Sequence, residues 1–145
     1  MDSTYLLFYS KISLSICALV LMTLKDRPIL SDLVKAGTLD IEKFQNEVIR
    51  PTIKMQHNLL IVFFKNYIND IKIDFVNLKK EKQNEKINSI LTKDTNFKNI
   101  LLGSVIGHFS VSELTFYCKN TQELKRRIIQ IIKQRLQDSD LGIHF

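Results

Sequence analysis

The side chains best suited to proton exchange near neutral pH in this chain are its three histidines, His57, His108 and His144. An imidazole can bind a metal ion or exchange a proton near neutral pH. His57 lies in the apolar run MQHNLLIVFF, with Arg50 and Gln56 nearby in sequence, which predicts a small polar pocket there. No second ligand lies three or four residues from His57, the spacing that a helical metal site would use. We therefore expect Arg50 and His57 to be ligand or pocket candidates, although a histidine satisfied inside an apolar core is the simpler interpretation.

The second candidate stretch reads LLGSVIGHFSVSELTFY and has Gly103 and Gly107 four residues apart, with His108 directly after them. The phosphate-binding patterns G-x-G-x-x-G and G-x-x-x-x-G-K-[ST] are absent, so the spacing favours another helix packing closely on the glycines. Gly107 also suits a left-handed end of that helix. Ser110 and Glu113 have the spacing of a capping box, which indicates that a new helix starts there. His108 is the third ligand or pocket candidate, either a surface histidine at the helix end or one directed toward the pocket.

These residues do not add up to a catalytic motif. Ser110, His108 and Glu113 are too close in sequence to reach the geometry of a catalytic triad. The two cysteines, Cys17 and Cys118, fit neither a zinc motif nor a disulfide framework, which favours a reducing cytoplasm. We assign no catalytic residue, no metal ligand and no cofactor.

Composition predicts the elements that must position these candidates. The chain has 145 residues, which favours one domain, and only 4 Gly and 2 Pro, which favours long helices over turn-rich sheets. The net charge of +6 is modest, and the basic run KRR at 125–127 alternates with apolar residues as a solvated helix face does. We therefore expect no nucleic-acid binding.

Apolar periodicity predicts an all-α, single-domain bundle of five or six helices around a buried central helix at about 51–71. This central helix is apolar round most of its circumference, which predicts burial on several sides. Pro51 should break or kink the preceding helix at Ile49–Arg50. A charged, peripheral helix follows Asp74, Asp94 or Thr95 caps the next one, and the last helix starts at Asn120 with a capping-box partner at Glu123. The core face of that last helix is Leu124, Ile128, Ile131, Ile132 and Leu136.

The N-terminal residues 1–21 form an apolar extension to the helical domain at 22–145. The run from Ile12 to Leu24 is shorter than the roughly 18–20 residues that cross a bilayer as a helix. Three interpretations remain open: upstream translation with Met22 as the true start, a signal or membrane anchor, and a core helix. Membrane association is expected only if residues 5–24 are kept as an anchor.

The segments FQNEVIRPTIKMQHNLLIVFFKNYI, KDTNFKNILLGSVIGHFSVSELTFY and LKRRIIQIIKQRL, in this order, resemble a family of small, uncharacterised all-helical proteins from Bacteroidota that often carry the label "glyoxalase". The resemblance covers about residues 40–137 and implies a glyoxalase-like lyase. No catalytic motif of the family carries over to this chain. Glyoxalase-type metal sites use His and Glu ligands on strands, and this sequence indicates neither the strands nor the ligands.

The sequence thus favours a non-catalytic, soluble helical protein that acts through protein–protein contacts, with an unknown partner or as a homo-oligomer. The alternatives are the lyase that the resemblance implies, and a membrane-anchored or weakly nucleic-acid-binding protein.

Overall fold

The computed structural model describes residues 26–30 and 39–141, and every regular element among them is helical. The α-helical segments are α1 (Asp40–Phe44), α2 (Arg50–Met55), α3 (His57–Asp70), α4 (Lys80–Lys93), α5 (Thr95–Ile106), α6 (Val111–Lys119) and α7 (Thr121–Asp138). A π-helical segment at Gln45–Ile49 joins α1 to α2, so these two form one rod and the bundle has six. This confirms the predicted all-α bundle, whereas the predictions for residues 1–21 lie outside the described residues.

Pro51 does not break the chain where the sequence predicts it. Ile49 and Arg50 both keep right-handed helical angles, with φ −67° and ψ −52° at Ile49 and φ −60° and ψ −46° at Arg50. A proline lacks the amide proton and its ring presses on the carbonyl four residues earlier, and the wider π-helical turn before Pro51 accommodates both effects. The interruption comes instead at Gln56, where φ −91° and ψ 8° separate α2 from α3. The predicted central helix is therefore two helices joined at Gln56.

The core is organised around α7, which contacts α2, α3, α4, α5 and α6. Every fourth residue on the inner face of α7 is a buried leucine or isoleucine. Burial of one such side chain stabilises the fold by about 1.5–3 kcal/mol. These residues are Leu124, Ile128, Ile132 and Leu136. The predicted core face of α7 is confirmed at these four positions, and Ile131 is only partly buried against the core.

Helix α3 is buried on one side only, which corrects the prediction that it is enclosed on several sides. Leu60, Phe64 and Ile68 face the core, but Leu59 is 37% exposed and Val62 is 54% exposed. No other helix in the described part of the chain packs against this outer side of α3. Apolar residues round most of the circumference of this helix therefore do not mean that it is buried on most sides.

The turn after α3 contributes a core residue that the sequence did not single out. Phe75 is 1% exposed and packs edge-on against Phe64, with ring centroids 5.6 Å apart. The turn begins with Lys72 in a left-handed conformation, φ 54°, whose amide bonds to the Asn69 carbonyl while that of Ile73 bonds to the Ile68 carbonyl. This pair of bonds is a Schellman motif, which normally places glycine where Lys72 stands.

Helices α4 and α5 meet at a cap that the sequence predicts. Asp94 accepts a bond of 2.9 Å from the Phe97 amide, and the Tyr67 hydroxyl donates to Asp94 over 2.7 Å. These two bonds hold the pKa of Asp94 below its usual value. Tyr67 also stacks on Phe97 with ring centroids 4.2 Å apart, which fixes α3 beside α5.

The predicted capping box of α7 is wrong. The Asn120 side chain donates to the Phe116 carbonyl over 3.1 Å and caps no amide of α7. Glu123 instead accepts from Arg126 and Arg127, and these bonds lower the pKa of Glu123 to about 2. Arginines three and four residues ahead on the same helix compete successfully for the carboxylate.

No helix in the described part of the chain combines the length and apolarity needed to cross a membrane.

Candidate functional site

Arg50 and His57 line one groove, between α2–α3 on one side and α7 on the other. They are seven residues apart on two successive helices, and the structure brings both to the same groove across the interruption at Gln56. Arg50 is exposed and His57 is half-buried. The groove has a volume of about 680 Å³. Its other lining residues are Leu30, Asn58, Ile61, Ile131, Gln134, Arg135, Asp138, Ser139 and Asp140.

Arg135 is the groove residue that sequence reasoning missed. Its neighbour Leu136 is fully buried, whereas Arg135 is half-buried and its side chain lines the groove opposite α3. Sequence reasoning treated the basic run at 125–127 of the same helix as a solvated face and did not single out Arg135. The signal was available in the helical spacing, because Ile131 and Arg135 are four residues apart and so share the flank of α7 beside its buried stripe.

His108, the third candidate, does not line the groove. It is exposed at the end of α5, and its ring Nε2 accepts a hydrogen bond from the Gln56 amide nitrogen. Gln56 is buried and directly precedes His57, and neither Gln56 nor His108 lines the groove, so His108 contacts the junction of α2 and α3 outside it. His144 lies outside the described residues.

The α5–α6 junction holds the described N-terminal segment, residues 26–30, in place. Arg27 donates to both carboxylate oxygens of Glu113, at 2.6 and 3.2 Å, and to the His108 carbonyl at 2.6 Å. Glu113 also accepts from the Ser110 amide over 2.8 Å, while Ser110 Oγ accepts from the Glu113 amide, which confirms the predicted capping box. Burial acts to raise the pKa of Glu113, but bonds from Arg27 and Ser110 outweigh it and hold that pKa below its usual value.

Both glycines differ from the prediction. Gly103 is exposed, and a Cβ added there would meet nothing within 4 Å, so no described helix packs on it. Gly107 has φ −59° and ψ −13°, which is right-handed, so the predicted left-handed helix end is wrong. The next two residues continue as a turn, with the His108 amide bonded to the Val105 carbonyl. The glycines leave a recess on the outer surface of α5.

This recess belongs to a larger exposed surface without charge, here named the uncharged face. Helices α3 and α5 run antiparallel, because Gln56 bonds to His108 at one end and Tyr67 stacks on Phe97 at the other. Their outward positions share a side by helical spacing, and apart from Asp70 in the last turn of α3 none of them carries a charge in a chain that is 25% charged. The uncharged face comprises Leu59, Val62, Phe63 and Asn66 of α3, and Asn96, Ile100, Gly103 and Gly107 of α5.

A metal-dependent lyase needs several metal ligands close together, and the described residues do not provide such a group. Among the described residues, no three His, Cys, Asp or Glu side chains lie close enough to hold a metal ion together. His57 lines the groove, whereas His108 lies outside it and contacts Gln56. The described residues therefore do not fit the metal that a glyoxalase-type activity implies.

No protein-family model, curated protein or solved structure matches the chain. The geometry of the groove and of the uncharged face is therefore what a functional proposal has to rest on.

Proposed function

We propose that this protein catalyses no reaction and acts through protein contacts, and that its partner at the uncharged face is a second copy of the chain. The observation that carries the proposal is the uncharged face itself. Ile100 is 52% exposed and Val62 is 54% exposed, beside two exposed glycines and no charged side chain. The centres of protein interfaces are depleted in charge in the same way.

The shape of the face suits pairing with itself. In a twofold dimer one surface meets its own copy, so a projection must fit a recess of the same surface. Leu59 and Val62 project from α3, whereas Gly103 and Gly107 leave α5 without side chains. The projecting side chains of one copy thus have a recess to enter on the other.

The charge of the chain favours the same surface. Two copies that each carry +6 repel one another wherever their basic residues meet. At the uncharged face this repulsion is smallest, and burial of apolar area stabilises the contact by about 25 cal/mol per Å² before the entropic costs of association. A charged partner such as nucleic acid finds no complement on this face.

Two other features fit a binding role. Two of the three residues of the basic run at 125–127, Arg126 and Arg127, are bonded to Glu123, which makes them less available to phosphates. Cys118 is an exposed free thiol, which is compatible with the reducing cytoplasm that we propose as the location. The lyase alternative predicts metal-dependent turnover of a methylglyoxal–thiol adduct, and we expect none.

The test is the molar mass of the purified full chain, measured by light scattering on a size-exclusion column from micromolar to near-millimolar concentration. We expect a dimer that dissociates on dilution. Ile100→Lys places a charge in the uncharged face and should give a monomer at all concentrations. Val76→Lys is the matched control, because Val76 is 47% exposed but lies in the turn before α4, and it should leave the dimer unchanged.

A wild-type chain that stays monomeric contradicts the proposal. If it becomes dimeric only after residues 1–21 are removed, those residues occupy the face and the proposed partner is wrong. A dimer that survives Ile100→Lys uses another surface, which also overturns the proposal.

A further inference from the structure

Two of the five arginines have no hydrogen-bond or ion-pair partner for their side chains among the described residues, and they line the same groove. Arg27 is bonded to Glu113, and Arg126 and Arg127 to Glu123. Arg50 and Arg135 are the remaining two, one on α2 and one on α7. Their guanidinium groups are therefore available to a ligand that enters between the helices.

We propose that the α3–α7 groove binds a small molecule through an oxyanion group, a carboxylate or a phosphate, held by Arg50 and Arg135 with His57 beside it. This inference is independent of the dimer, because the groove and the uncharged face lie on different sides of α3.

The chemistry of the lining favours an oxyanion. A guanidinium presents its N–H groups in a planar fork that matches two oxygens of a carboxylate or phosphate. The side-chain amides of Asn58 and Gln134 add neutral donors near His57. A charged ligand group that is contacted from both walls is bound more tightly than one on an open helix surface, because the walls displace part of the screening water.

The acidic residues of the groove determine which end of the groove the oxyanion group of the ligand occupies. Asp138 and Asp140 lie at the C-terminal end of α7, next to Ser139. A carboxylate or phosphate is repelled by these two carboxylates, so it binds away from them, on the side of Arg50. The rest of the molecule then extends toward the acidic end, where a neutral or positively charged group is favoured.

The size of the groove sets the class of molecule. Its volume of about 680 Å³ lies within the range of roughly 300–1,000 Å³ that small-molecule sites occupy. Ile61 and Ile131 give it an apolar strip, so an organic acid or a phosphate ester fits better than a bare ion. A bare ion is still a valid probe, because the two arginines are the groups that recognise charge.

The experiment titrates the protein separately with inorganic phosphate and with succinate, at constant ionic strength kept with sodium chloride. The His57 ring signal is followed by NMR, and the Ile100→Lys variant is used so that the oligomeric state does not enter. We expect saturable binding of at least one probe, with a shift of the His57 signal. The probe that binds more tightly identifies the favoured oxyanion as phosphate or carboxylate.

Arg50→Gln and Arg135→Gln should each weaken binding at least tenfold, which corresponds to about 1.4 kcal/mol. Lys125→Gln removes one positive charge from the same helix α7 outside the groove and is the matched control, with an expected change below twofold. Arg135→Lys keeps the charge but loses the planar fork, so it should bind with intermediate affinity. Circular dichroism checks that each variant is folded.

Absence of saturable binding of both probes overturns the inference. Equal weakening by Lys125→Gln and Arg50→Gln also overturns it, because the attraction would then come from net charge rather than from the groove.

Discussion

Arg27→Ala should destabilise the protein by about 1–2 kcal/mol. The arginine makes three bonds to Glu113 and to the His108 carbonyl, and its side chain is 25% exposed while that of Glu113 is 21% exposed. A hydrogen bond to a charged group contributes roughly 1.5–3 kcal/mol when buried, whereas an exposed ion pair contributes about 0.2–1 kcal/mol. The partial burial places the pair between these limits. Release of residues 26–30 returns some chain entropy, which keeps the loss at the lower end.

The assay is urea unfolding at pH 7 followed by circular dichroism. With an unfolding slope of about 2 kcal/mol per molar urea, in the middle of the usual range, the midpoint should fall by roughly 0.5–1 M. Lys82→Ala is the control, because its ion pair with Glu85 is about two-thirds exposed and should change the stability much less than Arg27→Ala does. A double-mutant cycle with Glu113→Gln should show coupling, since each change removes the same contact.

The pH dependence gives a second check with a defined sign. The pKa of folded Glu113 lies below its unfolded value of 4.5, so the unfolded state binds more protons in that range. The contribution of the pair is therefore complete above about pH 5 and is lost as the pH falls through the folded pKa. The wild type and Arg27→Ala should converge in stability at acid pH. A loss below about 0.3 kcal/mol at pH 7 would refute the argument that Arg27 holds the N-terminal segment on the α5–α6 junction.

Three further predictions concern stability. Phe64→Ala should lower the free energy of unfolding by about 3–5 kcal/mol, measured with urea, because Phe64 is fully buried. Val62→Ala in a monomeric background should lower it by less than about 1 kcal/mol, because Val62 is exposed. Similar losses for the two variants would mean that α3 presents a different side to the core. Lys72→Gly should raise the free energy of unfolding by up to about 1 kcal/mol because it relieves a left-handed conformation, and a loss of stability in the same assay would contradict the Schellman geometry. Ser110→Ala should lower thermal stability by about 1 kcal/mol because it removes the cap of α6, and an unchanged melting temperature would contradict the capping box.

Sequence reasoning succeeded where the determinants are local. Asp94 and Ser110 cap their helices as predicted, because both ends of each bond lie within four residues. The buried stripe of α7 follows from its spacing of four. Such features depend on helical periodicity and need no knowledge of the tertiary arrangement.

Sequence reasoning failed where the structure depends on residues distant in the chain or on local hydrogen bonds that compete with the predicted one. The burial of α3 depends on which helices exist to cover it, so Leu59 and Val62 were wrongly counted as core. Asn120 bonds to α6, and its predicted partner Glu123 is held by arginines of α7. The pi-helical turn before Pro51 is a response to crowding that single-residue preferences do not contain.

The candidate site was predicted in part for the same reason. Arg50 and His57 are only seven residues apart, so their closeness follows from the sequence, whereas the interruption between them at Gln56 does not. Arg135 comes from α7, across 78 residues of chain, and only the packing of α7 on α3 places it opposite them. The contacts of His108 with Gln56 and Arg27 likewise join distant segments.

The central claim is that the uncharged face pairs with a second copy, and sedimentation velocity of Gly103→Leu tests it most directly. The space above Gly103 is open in the single chain, so a leucine is accommodated there without a clash within the fold. In the proposed dimer the same leucine fills the recess that the partner's projecting side chains enter. The account predicts a dimer for the wild type and a monomer of unchanged helical content for Gly103→Leu. Equal sedimentation of the two proteins would contradict it.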